Sequence, residues 1–184
     1  MARRYAQDEM EQFLRQVDAE LARPCTIVLI GGAALSLGYH SSHATTDMDL
    51  WSPSRGPFWT AVEKVKKRDP ASVPIERAAI AEPPYNFEDR LVSLELKGLA
   101  RLSVQIPEAH DLVLLKTARA EAHDLDAVED IHRTHPLSLE TLIERYRETL
   151  PQVMGPKSRF KLNFLAVVAR LFGEDEALEL EKRL

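Results

Sequence analysis

The feature that most constrains this chain is an apolar run that leads directly into two glycines. Residues 27–30 read Ile-Val-Leu-Ile, Gly31 and Gly32 follow, and a short helix-forming segment reaches Gly38. A buried strand that turns at once into a helix fits this pattern, because glycine permits tight turns and close backbone approach. The first amide groups of such a helix attract anions. The pattern therefore predicts a strand–turn–helix unit that can approach a phosphate group.

Two acidic residues alternate with apolar residues shortly afterwards. Asp47 and Asp49 flank Met48, and Leu50 follows. Side chains of a strand alternate between its two faces, so both carboxylates are predicted on one face, with Met48 and Leu50 toward the core. Paired carboxylates are hard oxygen ligands that suit Mg²⁺ or Mn²⁺. The alternative is a solvated strand edge that carries two surface acids.

The remaining segments predict an α/β half followed by a helical half. We expect a core over residues 1–108, with a helical C-terminal region over 109–184 packed on it, and a polar loop over 40–46. Proline and glycine positions and hydrophobic periodicity set the element boundaries. Helices are predicted over 6–22, 33–39, 57–68, 107–122, 124–133, 138–149 and 158–172, with a charged helix last, and strands over 25–30, 47–51, 73–78, 90–96 and 99–106.

Composition restricts the class of protein. The net charge of −5 argues against a surface dedicated to coating nucleic acid. Cys25 is the only cysteine, so a disulfide within the chain is impossible and a reducing compartment is the simple expectation. No apolar run approaches the roughly 18 residues of a membrane span. We therefore expect a cytoplasmic protein without a membrane partner.

The motifs resemble the signature of the nucleotidyltransferase (polymerase-β-like) superfamily. The resemblance rests on the Gly31-Gly32 pair, the short helix and the pattern Thr45-x-Asp47-x-Asp49. Residues 112–116 (Leu-Val-Leu-Leu-Lys) and 123–125 (His-Asp-Leu) are similar to later motifs of one branch. That branch contains the abortive-infection and type IV toxin–antitoxin nucleotidyltransferases and their uncharacterised bacterial relatives. The resemblance covers about residues 25–150, and a histidine stands where the branch motif has an arginine.

The resemblance implies a fold, an activity and a set of site residues. The fold is α/β (α+β): a minimal nucleotidyltransferase fold with a mixed, mostly antiparallel sheet, flanking helices and a helical C-terminal extension. The activity is metal-dependent transfer of a nucleoside monophosphate from an NTP to a hydroxyl of RNA, such as tRNA, or of a protein. The setting is a toxin–antitoxin or phage-defence system with a cognate antitoxin. The implied nucleotide-binding residues are Gly31, Gly32, Ser36 and Thr45, the catalytic residues are Asp47, Asp49, Lys116 and Asp124, and the Mg²⁺ or Mn²⁺ ligands are Asp47 and Asp49.

A third carboxylate is expected in a two-metal site of this superfamily. The resemblance places it on the strand over 99–106, yet that strand has no acid, and Ser103 and Gln105 occupy the face where one would stand. Glu95 and Asp89 are possible substitutes. The missing acid favours an alternative function, a catalytically degraded module that binds a nucleotide or a partner protein.

Structural alternatives apply to the later motif residues as well. Lys116 also fits a helix lysine whose stem packs on apolar surface. Asp124 also fits the N-cap of the helix that follows it. Zinc binding by the three histidines at 123, 132 and 135 lacks a partner cysteine and a suitable spacing, so solvated histidines are the simpler interpretation.

Overall fold

The computed structural model describes residues 3–41, 45–53, 55–78 and 83–184. Its helices are α1 (Gln7–Glu20), α2 (Gly31–Tyr39), α3 (Pro57–Arg68), α4 (Ala109–Thr117), α5 (Ala122–Thr134), α6 (Leu139–Thr149), α7 (Lys157–Phe172) and α8 (Glu174–Glu181). Its strands are β1 (Cys25–Ile30), β2 (Met48–Ser52), β3 (Ile75–Arg77), β4 (Val92–Leu94) and β5 (Leu102–Ile106). Short 3₁₀ turns cover Phe87–Arg90 and Leu150–Gln152. Among these residues, no helix has both the length and the apolar character needed to cross a membrane.

Each predicted helix and strand is observed, with boundary corrections. Strand β2 begins one residue later than predicted, so Asp47 lies just before it. The helix predicted over 107–122 ends at Thr117, because the left-handed backbone of Ala120 (φ 48°) reverses the chain before α5. The strand predicted over 73–78 is reduced to three residues. Within the predicted polar loop, residues 42–44 lie outside the described residues.

The described chain forms two compact units. One contains the described residues from 3 to 78 together with Leu91–Pro107, and the other contains residues 83–90 and 108–184. The first unit holds the sheet with α1, α2 and α3, and the second is built from α4 to α8. The first unit is therefore assembled from two separate stretches of chain.

The sheet of the first unit is mixed, with strand order β3-β2-β1-β5-β4. Pairs β1–β2 and β4–β5 are antiparallel, whereas β1–β5 and β2–β3 are parallel. The expectation of a mostly antiparallel sheet is therefore wrong, because two of the four strand pairs are parallel. The cause is topological: α3 carries the chain across to a parallel β3, and the predicted β4–β5 hairpin inserts β5 parallel to β1.

One face of this sheet forms the apolar core. Ile27 and Leu29 on β1, Met48 and Leu50 on β2 and Val104 on β5 are almost completely buried. Helices α1 and α3 pack against each other, and α1 also contacts β5. Burial of this much aliphatic surface is the main favourable contribution to the stability of the unit.

A buried carboxylate ties α1 to the sheet. Asp18, 5 % exposed, accepts hydrogen bonds from the consecutive backbone N–H groups of Ala100, Arg101 and Leu102 at 2.6–3.1 Å. Burial would raise the pKa of Asp18, but these N–H groups lower it below its usual value. The carboxylate thus satisfies three donors that burial would otherwise leave unpaired.

In the second unit, a charge network holds the start of α4. The fully buried carboxylate of Asp111 receives a bidentate contact from Arg90 at 2.8 and 3.0 Å and a further contact from Arg145 at 3.1 Å. Arg145 also pairs with Glu108, which caps α4 and accepts from His110 Nδ1 at 2.8 Å. Burial would raise the pKa of Glu108, but His110 and Arg145 lower it to about 2. The carboxyl groups of Glu108 and Asp111 are thus fixed by donors on three segments of the chain.

Substitution Asp18→Asn tests the contribution of the α1 carboxylate. We expect a loss of about 1–3 kcal/mol in the free energy of unfolding at neutral pH, because buried backbone donors lose a charged acceptor. Since the folded pKa of Asp18 is lowered, this contribution is present above the unfolded pKa and is lost as the pH falls below about 4. Urea unfolding at pH 7 and in acid measures the stability loss and its pH dependence. The substitution Glu63→Gln at an exposed position is the control. Equal stability of wild type and Asp18→Asn at pH 7 would contradict this assignment.

Candidate functional site

The end of β1 and the carboxylate strand meet at Gly31 and Asp49. Ile30, the last residue of β1, pairs with Asp49 of the antiparallel β2. Gly31 has a left-handed φ of 65°, and a Cβ placed on it would lie only 2.5 Å from Asp49 Oδ2. The carboxylate of Asp49 therefore lies directly against the backbone at the first residue of α2. Glycine at position 31 is required both by the backbone conformation and by this close approach.

The second glycine makes room for a different side chain. A Cβ on Gly32 would lie 2.5 Å from Thr45 Oγ1. The Thr45 hydroxyl donates to the Asp47 carbonyl oxygen at 2.9 Å, and the Tyr5 N–H donates to the Thr45 carbonyl oxygen at 2.7 Å. The glycine pair thus lets the chain pack its own Asp49 and Thr45 at the start of α2. Contact of either glycine with a phosphate remains a prediction.

The two predicted ligand carboxylates have the expected exposure. Asp47 and Asp49 are half-buried, while Met48 and Leu50 are buried on the opposite side. The N-cap residue of α2, Ile30, is apolar and makes no side-chain hydrogen bond to the first turn of the helix. Ser36 lies in the second turn of α2 and is 4 % exposed. Its predicted contact with nucleotide stays a prediction.

The sheet register adds an acid that the sequence did not indicate. Strand β3 runs parallel to β2, and Glu76 pairs with Asp49. Paired residues of neighbouring strands project from the same face of a sheet, so Glu76 is placed beside Asp49. Glu76 is exposed. Its strand has only three residues and lies in a proline-rich stretch, so its pairing partner could not be read from a local pattern.

The acids considered from the sequence lie on other elements of the chain. Glu95 is exposed and follows β4, and Asp89 lies on a 3₁₀ turn of the second unit. Ser103 and Gln105 alternate with buried residues of β5, as expected for one strand face. Among the residues that the structure describes, no three His, Cys, Asp or Glu side chains converge in a metal-ligand geometry. In ligand type, the oxygen-only set at β2 and β3 fits a hard divalent cation.

The later motif residues Lys116 and Asp124 form a cluster within the second unit. Lys116 Nζ lies 3.0 Å from Asp124 Oδ1, and Arg119 makes a bidentate contact with the same carboxylate at 2.7 and 2.8 Å. The side chain of Asp124 is 1 % exposed and that of Lys116 is 12 % exposed. Burial would raise the pKa of Asp124, but Arg119 and Lys116 lower it to about 2. The structure thus brings the two predicted residues together as a buried ion pair.

Arg119 is the member of this cluster that sequence analysis missed. The motif comparison placed a histidine before Asp124, and that residue, His123, has a 62 % exposed side chain. The guanidinium that contacts Asp124 belongs instead to Arg119, which precedes Asp124 by five residues and lies in the turn between α4 and α5. The expected N-cap role of Asp124 is also wrong by three residues: Glu121 is the N-cap, and the Asp124 carboxylate accepts from the Glu121 N–H at 3.3 Å.

The remaining histidines have structural contacts. His132 Nδ1 accepts from the Leu137 N–H at 3.1 Å, and its ring packs edge-on against Phe172 at 5.1 Å. His135 Nδ1 lies 3.1 Å from the Thr134 hydroxyl. No zinc-ligand set is found among the residues that the structure covers, and both histidines instead support the α5–α6 connection and its neighbours.

Comparison with known families identifies the class of this protein. A family model described as a nucleotidyltransferase of unknown function (DUF6036) matches residues 7–170. The chain belongs to this family, which agrees with the glycine pair and the acidic strand of the first unit. No curated protein and no solved structure gives a significant match. The family supports a general nucleotidyltransferase role.

Substitution Gly31→Ala tests the contact between α2 and the acidic strand. The added Cβ would overlap Asp49 Oδ2, so we expect loss of Mg²⁺-dependent NTP binding along with a stability loss of about 1–2 kcal/mol from the left-handed backbone. Calorimetric titration of NTP with and without Mg²⁺ measures the binding. Gly173→Ala is the matched control, because Gly173 has φ 108° but no atom within 4 Å of its added Cβ. Equal NTP binding by both variants would contradict the prediction.

Substitution Asp124→Asn tests the buried cluster. The lowered pKa implies that ionised Asp124 contributes about 2 kcal/mol to stability at neutral pH. This contribution is present above the unfolded pKa near 4 and is lost as the pH falls toward 2. Unfolding curves of wild type and variant should therefore differ at pH 7 and converge in acid. Asp126→Asn on the same helix is the control, since its exposed pair with Arg170 should contribute less than about 1 kcal/mol.

Proposed function

We propose that this protein transfers a nucleoside monophosphate from an NTP to an acceptor hydroxyl. The observation that carries the proposal is the contact of Asp49 with Gly31 at the uncapped start of α2. This contact places a carboxylate beside a helix terminus that favours anions. A carboxylate and a phosphate chain repel each other unless a cation lies between them. The arrangement therefore fits a metal–nucleotide complex better than a free anion.

In this proposal, different residues of the first unit bind the metal ion and the nucleotide. Asp47 and Asp49 would hold Mg²⁺ or Mn²⁺, and Gly31 and Gly32 would allow the α2 amides to approach the phosphates. Thr45, which lies against Gly32, and Ser36, in the second turn of α2, are the further proposed nucleotide-binding residues. The bound cation would neutralise phosphate charge and lower the pKa of the attacking hydroxyl. Fixed positions of the carboxylates and of the phosphates would orient the nucleotide for attack by the acceptor hydroxyl, and such transfers depend on this orientation.

The pairing register of β2 and β3 supports Glu76 as the third carboxylate of this site. Glu76 pairs directly with Asp49 across β2 and β3, whereas Glu95 lies outside any strand. A glutamate side chain has three rotatable bonds, so its carboxylate can swing toward a cation shared with Asp49. We therefore assign the additional ligand to Glu76 in place of the substitutes considered from sequence.

The reaction balances as a nucleotidyl transfer. The acceptor oxygen forms a bond to the α-phosphorus, and the bond from that phosphorus to the oxygen bridging to the β-phosphate breaks. Pyrophosphate leaves, and the hydroxyl proton is released to solvent. Little covalent work falls to the protein, so positioning and charge stabilisation would supply most of the rate.

The resemblance extends the proposal to the acceptor and the later motif. We propose an RNA hydroxyl, including that of tRNA, or a protein hydroxyl as acceptor, and a toxin–antitoxin or phage-defence setting with a cognate antitoxin. Lys116 is proposed to contact phosphate, and Asp124 with Arg119 to fix its position. The pairing of Lys116 with a buried carboxylate equally supports a purely structural role for this cluster.

A second function is favoured by one observation. Strand β5 reads Leu-Ser-Val-Gln-Ile and lacks the third acid that the resemblance places there, which favours a module that binds nucleotide or a partner protein without catalysis. Such a module would still bind NTP at α2.

Labelled NTPs distinguish these functions. Each α-³²P-labelled NTP is incubated with Mg²⁺ or Mn²⁺ and with total RNA or protein, and transfer is followed by electrophoresis. We expect label in one acceptor class, loss of transfer in Asp47→Ala with Asp49→Ala, and at least about a tenfold loss in Glu76→Gln.

Glu95→Gln is the matched control for Glu76→Gln, because Glu95 is also an exposed glutamate of the first unit. Equal activity of Glu76→Gln and Glu95→Gln would refute the assignment of Glu76. NTP binding without transfer to any acceptor would support the non-catalytic module, and absence of NTP binding would overturn both functions.

A further inference from the structure

Charge is unevenly distributed along the C-terminal helices. Residues 149–173 contain four cationic residues and no acidic residue, whereas residues 174–184 contain five acidic and two cationic residues. The division falls at Gly173, the turn between α7 and α8. The two helices of this hairpin therefore carry opposite charge.

The cationic end of α7 has no counter-charge in the described chain. Lys157, Arg159 and Lys161 form no ion pair there, although Arg170 of the same helix pairs with Asp126 and Glu129. Three cations at the start of a helix oppose its dipole, and α7 has no side-chain N-cap to offset this. An external acidic group would relieve this unfavourable arrangement.

Exposed apolar side chains accompany these charges. Three of the five exposed large hydrophobic residues of the described chain lie in this hairpin or just before it: Met154, Leu162 and Leu178 are 91 %, 63 % and 56 % exposed. Single exposed hydrophobic residues are common, but three within 25 residues beside unpaired charge indicate an interaction surface.

Helix lengths explain why α7 is partly uncovered. Helix α7 has 16 residues and is about 24 Å long, whereas α8 has 8 residues and is about 12 Å long. After Gly173, α8 packs on α7 and buries Ala177 and Leu180. Helix α8 can therefore cover only the C-terminal half of α7. The half that carries Leu162 and the three cations extends beyond its reach.

The outer face of α8 has the complementary pattern. Leu178 projects away from the side that buries Ala177 and Leu180, and Asp175 and Glu181 flank it at three residues in either direction. The N-terminal face of α7 presents Leu162 with Arg159 three residues before it. One face is apolar and acidic, and the other is apolar and basic.

We propose that the α7–α8 hairpin is a self-association surface, on which α8 of a second copy covers the N-terminal half of α7. A twofold axis would form the contact twice, because each copy carries both faces. Leu178 of one copy would pack near Leu162 of the other, with Asp175 and Glu181 near the cations at the start of α7, of which Arg159 shares the face of Leu162. Complementary charge fixes partner and register, while apolar contact supplies the affinity.

Charge-reversal variants test this interface. Sedimentation velocity over a micromolar range should show a dimer for the full wild-type chain. Lys157→Glu with Arg159→Glu, and separately Asp175→Lys with Glu181→Lys, should each weaken association by at least about tenfold. The four changes combined should restore the dimer, because the charges again oppose each other. Circular dichroism confirms that each variant is folded.

Two apolar substitutions complete the test. Leu162→Ala should weaken the dimer, whereas Val92→Ala, an exposed apolar residue of the first unit, should leave it unchanged. A monomeric wild type, or a combined charge variant that fails to recover association, would overturn the proposal. Loss of binding to an RNA homopolymer by the α7 variant in a monomeric protein would assign the basic face to a polyanion instead.

Discussion

The antiparallel register of β1 and β2 is the constraint on which the candidate site depends. Pairing of Ile30 with Asp49 places the carboxylate strand beside the first residue of α2. A shift of one residue would turn Asp49 toward the core and Leu50 toward solvent, so the hydrophobic core enforces the register on which the candidate site depends. Burial of Met48 and Leu50 thus fixes the positions of the site acids, and the missing Cβ of Gly31 permits their approach.

The acids that matter to the fold and to the candidate site differ in their surroundings. Asp18 and Asp124 are buried, saturated with donors and lowered in pKa, which is the state of carboxylates that hold a fold together. Asp47 and Asp49 are half-buried at the end of a strand, and Glu76 is exposed beside them. Their accessibility leaves them able to bind a ligand. Exposure therefore separates these structural acids from the candidate functional ones more clearly than sequence motifs do.

Local patterns were enough to predict the helices, the strands and the strand–turn–helix unit that carries the candidate site. Gly31, Gly32 and the alternation of Asp47 with Met48 all lie within about twenty residues, where backbone geometry links sequence to structure directly. Glu76, Arg119 and the partners of Asp18 were missed, because each depends on a pairing across a crossover, a turn or some eighty residues of chain. Which distant segments pair depends on how all the strands compete for partners, and a local sequence pattern contains no information about that competition.

The position of β5 has a consequence for how the molecule is made. This strand lies between β1 and β4 in space but is the last strand in the chain, and it also supplies Leu102, whose N–H binds Asp18. During synthesis, β1 therefore keeps one unpaired edge until residues 102–106 have left the ribosome. A chain stalled before that point would present an aliphatic strand edge, which is prone to aggregation. Completion of the first unit is thus tied to translation well beyond its site residues.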